Sequence, residues 1–111
     1  MVFLWNAGIY MDEKVKKKPK RYRRLVEGRK LTRSCYCITL PANEENCMDI
    51  YSSREFWFQY YREQNIEIIG LAADKAGIED VLGRMTQDIM KAFGEVNAVN
   101  VRAFFRQAVR N

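Results

Sequence analysis

No histidine occurs among the 111 residues, which removes the commonest general base and the commonest transition-metal ligand in one step. The three cysteines, Cys35, Cys37 and Cys47, are too few and odd in number for a disulfide framework, so a reducing compartment is expected. Nor is there a long hydrophobic run. The N-terminal apolar stretch, Met1 to Tyr10, is broken by Asn6 and Gly8 and falls far short of the roughly 20 residues that cross a bilayer. It does not read as a signal peptide either, because the basic cluster follows the apolar residues and no small-residue cleavage site separates them. The sequence therefore predicts a cytoplasmic protein with no membrane association.

What is present is the balance of a globular chain: 48% hydrophobic and 30% charged residues, enough to fold around one core. The net charge of +5 is unevenly spread. Residues 1–33 carry eleven Lys or Arg against Asp12, Glu13 and Glu27, whereas residues 34–111 carry eight basic against eleven acidic side chains. The stretch from Lys14 to Arg24 concentrates eight basic residues around Pro19 with few apolar neighbours, and on composition it is expected to be disordered. The expected organisation is thus a basic flexible arm over residues 1–30 and a single small domain over 31–111. Met11 opens a composition so different from what precedes it that residues 1–10 are also readable as an upstream extension from a misassigned start.

Within the domain, Thr32 to Leu40 is β-branched and aromatic and ends at Pro41, which predicts a strand. Residues 42–51 fit either a turn of helix or a second strand and are read as a connection. Ser52 and Glu55 have capping-box spacing, so a helix is expected from Ser53 to about Glu63. Ile66 to Ala73 predicts a buried central strand. From Lys75 to Phe93, Ile78, Val81, Leu82, Met85, Ile89, Met90 and Phe93 form an amphipathic stripe, with Asp74 placed to cap the helix and Gly94 to end it. Gly83 costs helix stability, which a close approach to the sheet would offset. After Gly94, alternation of Val99, Val101, Ala103 and Phe105 predicts a strand passing into a short helical end.

The fold class expected is α/β or α+β: a small sheet with a right-handed, parallel βαβ unit and two helices. Two strands make too small a sheet, so a third must come from the arm region, the C-terminal segment or a partner chain.

Residues able to carry chemistry are sparse. Cys35 and Cys37 point to one face of a strand with Cys47 close in sequence, but the paired Cys-x-x-Cys loops of structural zinc sites are lacking, so buried hydrophobic cysteine is the better reading. Gly70 and Gly77 flank a strand-to-helix turn without the Gly-x-Gly-x-x-Gly or Gly-Lys-Ser/Thr pattern of a phosphate loop. Glu44, Glu45 and Asp49 read as a solvated acidic loop. No catalytic residue, cofactor or metal is expected, and no enzymatic activity.

Two functional readings remain. The first is an accessory protein that binds DNA or RNA non-specifically through Lys14, Lys16, Lys17, Lys18, Lys20, Arg21, Arg23 and Arg24, which neutralise phosphates and release counterions. The second is an interaction or regulatory module that dimerises or docks on a protein partner through an aromatic helix, with Trp57, Phe58, Tyr60 and Tyr61 at the interface.

Overall fold

Strand β1 (Val2–Met11) is followed by helices α1 (Glu13–Lys17) and α2 (Pro19–Gly28), strands β2 (Tyr36–Leu40) and β3 (Asp49–Ser52), and a 3-10 helix (Ser53–Trp57). Strand β4 (Asn65–Ala72) and helices α3 (Lys75–Phe93) and α4 (Ala98–Arg110) follow among the described residues. This is a computed structural model, and it describes residues 2–28, 34–41, 46–57 and 65–110, the side chains of residues 2, 57 and 107–110 excepted. The four strands form one sheet in the order β1-β4-β2-β3. Helices cover both faces, giving a mixed α and β architecture in three layers.

The best-patterned segments fold as their patterns require. In β4, Ile68 to Ala72 are all buried, as befits a strand with helices on both sides. Helix α3 buries Ile78, Val81, Met85 and Ile89. Asp74 caps it, its Oδ1 accepting from the Gly77 N–H at 2.8 Å. Gly94 ends it at φ +80°, a left-handed conformation that glycine adopts without a side-chain clash. The Ser52 N–H donates to the Glu55 carboxylate at 2.7 Å, one half of the expected capping box. That cap opens a 3-10 helix, and residues 58–64 of the expected longer helix lie outside the described residues.

Several expectations are corrected. Residues 13–28, expected as a disordered arm, form α1 and α2, with Val15 and Val26 fully buried and Tyr22 and Leu25 partly so. A few well-spaced apolar side chains suffice because a sheet face is there to receive them. The third strand does come from the arm region, as β1, while a fourth comes from 49–52, so the described residues form a four-stranded sheet within one chain. The parallel pair is β1 with β4, whereas β2 runs antiparallel to both β4 and β3. The reason is that β3, unrecognised between 42 and 51, makes a reversal where a helical crossover was expected. The C-terminal segment is helical throughout: Val101 and Phe105 are buried while Val99 is 76% exposed, which a shared strand face would not allow. Gly83 faces solvent with nothing among the described residues within 4 Å of where a Cβ would stand, so no close approach by them offsets its cost.

Strand β4 carries an irregularity that sets which face each side chain meets. Ile38 pairs with Gly70 and the adjacent Thr39 with Ile68, so Ile69 is an extra residue opposite β2. On the other side, Trp5 pairs with Ile68 and Tyr10 with Gly70, so Asn6 to Ile9 bulge opposite the same residue. As a result Ile68 and Leu71 face the α1–α2 side, while Ile69 and Ala72 face α3 and α4. Asn6, 3% exposed, holds the bulge: its Oδ1 accepts from the Gly8 N–H at 2.8 Å, and its Nδ2 donates to Glu67 at 2.9 Å and to the Phe105 carbonyl at 3.2 Å.

The two strand and helix glycines should respond oppositely to alanine. Gly83→Ala is expected to stabilise the protein by about 1 kcal/mol. Gly70→Ala puts a Cβ 2.9 Å from Ile38 Cδ1 and 3.1 Å from Ile38 Cβ, and is expected to cost about 1–3 kcal/mol. Urea unfolding midpoints check both, and a stabilised Gly70→Ala variant would refute the packing described for β2 and β4.

Candidate nucleic-acid interface

The basic stretch begins where β1 ends. Asp12 is extended (φ −76°, ψ 174°) and 5% exposed, and its Oδ1 accepts from the Val15 N–H at 2.8 Å, which caps α1. Its Oδ2 accepts from the Ala73 N–H at 2.9 Å, beyond the end of β4. One carboxylate thus ties the first basic helix to the parallel strand pair. Gly77 leaves room for it, since a Cβ there would stand 2.9 Å from the Asp12 Cγ and closer still to Oδ2.

Helix α1 stops at Lys18 (φ −142°, ψ 60°), because Pro19 has no N–H to continue the ladder and restricts the residue before it. The Lys18 N–H closes on the Val15 carbonyl at 3.0 Å, and the Lys18 carbonyl accepts from Arg21 at 3.1 Å as α2 starts. Proline is suited to that first turn. Along α2, Tyr22, Leu25 and Val26 face the sheet, and helical geometry then places Lys20, Arg21 and Arg24 on the outward side.

The eight predicted basic residues are therefore gathered on two adjoining helices and the Lys18 turn between them, and the structure divides them. Lys14 Nζ lies 2.7 Å from Asp74, and Lys16 lies 3.6 Å from Glu13. The Arg23 guanidinium sits 4.8 Å from the centre of the Trp5 ring, whose Nε1 donates to Glu27 at 2.9 Å. Lys17, Lys18, Lys20, Arg21 and Arg24 are exposed and make no ion pair with the described residues. These five present uncompensated charge to solvent.

The other candidates fall elsewhere. Phe58, Tyr60 and Tyr61 lie outside the described residues, as do Glu44 and Glu45 and the Trp57 side chain. Phe56 is fully buried against Phe3 and Tyr51. Cys35 and Cys37 are buried free thiols, and among the described residues no cluster could hold a metal ion. The Cys37 thiol is pushed up by its hydrogen bond to Cys35 and by burial, which keeps it protonated. Asp49 accepts from the Tyr51 hydroxyl at 3.3 Å. The hollow beside Gly77 is lined by Asp12, Glu13, Asp74 and Asp80 with only Lys14, the wrong sign for a phosphate.

Asp12 and Trp5 are positioning residues that the sequence reading missed, whereas Asp74 was expected as a helix cap but not as the partner of Lys14. Of these two, only Asp12 carries a local signal, a helix-capping side chain three residues before Val15. Comparisons with protein-family models, curated proteins and solved structures find no match to this chain.

Asp12→Ala removes the cap and leaves the Ala73 N–H without its acceptor, for an expected loss of about 1–3 kcal/mol in denaturant unfolding. Lys14, by hydrogen bond and charge, holds the Asp74 carboxyl below its usual range, helped by the Gly77 N–H. A depressed folded value stabilises above the usual carboxylate range, and that contribution disappears as pH falls through the folded value. Both groups are exposed, so the effect is small and screened by salt. An NMR titration should show the Asp74 midpoint rising in Lys14→Ala; an unchanged midpoint would mean that the pair does not persist in solution.

Proposed function

We propose that the chain is a small, non-enzymatic accessory protein that binds nucleic acid through the outward face of α1 and α2, without reading base sequence. The observation that carries this reading is the set of five exposed cations, Lys17, Lys18, Lys20, Arg21 and Arg24, on two helices and the Lys18 turn between them, anchored by Val15, Val26 and the Asp12 cap. Lys and Arg side chains of this kind neutralise phosphates and release condensed counterions, which gives affinity without specificity. Fixing them on helices lowers the ordering cost that a disordered tail would meet on binding. A reducing, cytoplasmic setting belongs to the same proposal and is supported by the three free cysteines. Among the described residues no helix is long and apolar enough to cross a membrane.

The experiment is an electrophoretic shift of a mixed-sequence duplex over a salt series. Wild-type protein should retard the duplex at low salt, with a log–log slope that reports the phosphates contacted. The combined Lys20→Gln, Arg21→Gln, Arg24→Gln variant should lose up to about 0.9 of slope per contact removed and bind far more weakly. Lys14→Gln, which removes a cation already paired with Asp74, should change the slope little. Scrambling the duplex sequence should change nothing. No retardation by wild-type protein, or equal slopes for wild type and the triple variant, would contradict the proposal.

A further inference from the structure

Beside the first residues of β1 and β4 and the last of β2, a half-open groove of about 470 Å³ has the apolar walls Leu4, Leu40 and Pro41. Glu67 lines the same groove, as do Arg102 and Arg106 of α4. The two arginines are four residues apart, which puts them on one flank of the helix. Arg102 is anchored, its Nη2 donating to the Pro41 carbonyl at 2.8 Å and its Nη1 to the Ala98 carbonyl at 3.3 Å. Arg106 is exposed and has no ion pair or hydrogen bond with the described residues. Glu67 is fixed by the buried Asn6, which also bonds the Phe105 carbonyl and so holds the carboxylate against α4.

We infer that this groove binds a zwitterionic ligand of amino-acid type with an apolar side chain, its carboxylate on Arg106 and its ammonium group on Glu67. The decisive feature is that opposite charges share one cavity without joining: among the described residues no ion pair links Glu67 to Arg106. A ligand carrying both charges meets Arg106 and Glu67 at once. A simple anion would satisfy Arg106 but stand near the Glu67 carboxylate, and a simple cation meets the reverse difficulty. Guanidinium–carboxylate pairing adds directional hydrogen bonds. The volume lies in the range of small-molecule sites and leaves room for a large side chain over Leu4, which is 47% exposed and so gains from being covered. The site is independent of the basic face, and its variants leave all eight residues of that face intact.

Calorimetric titration of the full chain with L-phenylalanine, phenylalaninamide and N-acetylphenylalanine tests the inference, because the amide lacks the carboxylate and the acetyl compound lacks the ammonium group. Phenylalanine should bind, and each truncated compound should bind about tenfold more weakly. Arg106→Gln should weaken phenylalanine to the level of its amide while leaving the amide unchanged. Glu67→Gln, which keeps an oxygen for Asn6, should remove the preference for phenylalanine over N-acetylphenylalanine. The dipeptide Leu-Phe separates the two sources of this chemistry: tighter binding than phenylalanine assigns the groove to short peptides, weaker binding to free amino acids. The inference is overturned if no compound binds at millimolar concentration, if the truncated compounds bind as well as phenylalanine, or if both variants retain the wild-type preferences. Arg106-dependent binding of guanosine monophosphate in place of phenylalanine would overturn it too.

Discussion

Asp12 is the residue on which the arrangement of the N-terminal half depends. Its two carboxylate oxygens accept from N–H groups that belong to different elements, Val15 in α1 and Ala73 after β4, and its own N–H reaches the Leu71 carbonyl at 3.3 Å. A buried carboxylate is costly unless its oxygens are occupied, and here hydrogen bonds from the backbone occupy them. The consequence is geometrical. Strand β1 must end beside β4, α1 must start there, and the first turn of α3 must be glycine at position 77 to admit the side chain. The basic residues of α1 and α2 are carried on a scaffold whose direction is set at that point.

The second constraint is the shared irregularity around Ile69, which lets β4 serve two helical layers. Without the extra residue, strict alternation would send Ile66, Ile68, Gly70 and Ala72 to one face and Ile69 and Leu71 to the other. The bulge instead moves Leu71 to join Ile68 towards α1 and α2, and Ala72 to join Ile69 towards α3 and α4. Asn6 stabilises the same bulge on the β1 side and fixes Glu67 and α4 next to each other. Thus one buried amide connects sheet geometry to the polar groove, as one buried carboxylate connects it to the basic face.

Legibility in the sequence followed the range of the interactions. Helix α3 and strand β4 were readable because their apolar spacing, the Asp74 cap and the Gly94 stop all lie within a few residues. Segment 98–110 was misread because Val101 and Phe105 fit both periods, and only the exposure of Val99 separates strand from helix. Strand β1 was invisible as a strand because its partner β4 lies some 60 residues away, and no local pattern announces a parallel pairing. The basic residues stand out in the sequence as a group, but their helical order does not: Lys14 to Arg24 fail compositional tests for folding, and the apolar spacing of Val15, Tyr22, Leu25 and Val26 matters only once a sheet face exists to bury them. Which cations are paired and which are free depends on Asp74 and Trp5, neither of which is near them in sequence.

The central claim is that the basic residues stand on ordered helices in the free protein, so that their charges are arranged before any partner arrives. Amide hydrogen exchange across residues 13–28 measures this directly. The account predicts protection at Val15, Lys16 and Lys18 in α1 and through the interior of α2, reduced at α1 by Asp12→Ala. Exchange at unstructured-peptide rates across that whole stretch, with β4 and α3 still protected, would contradict it.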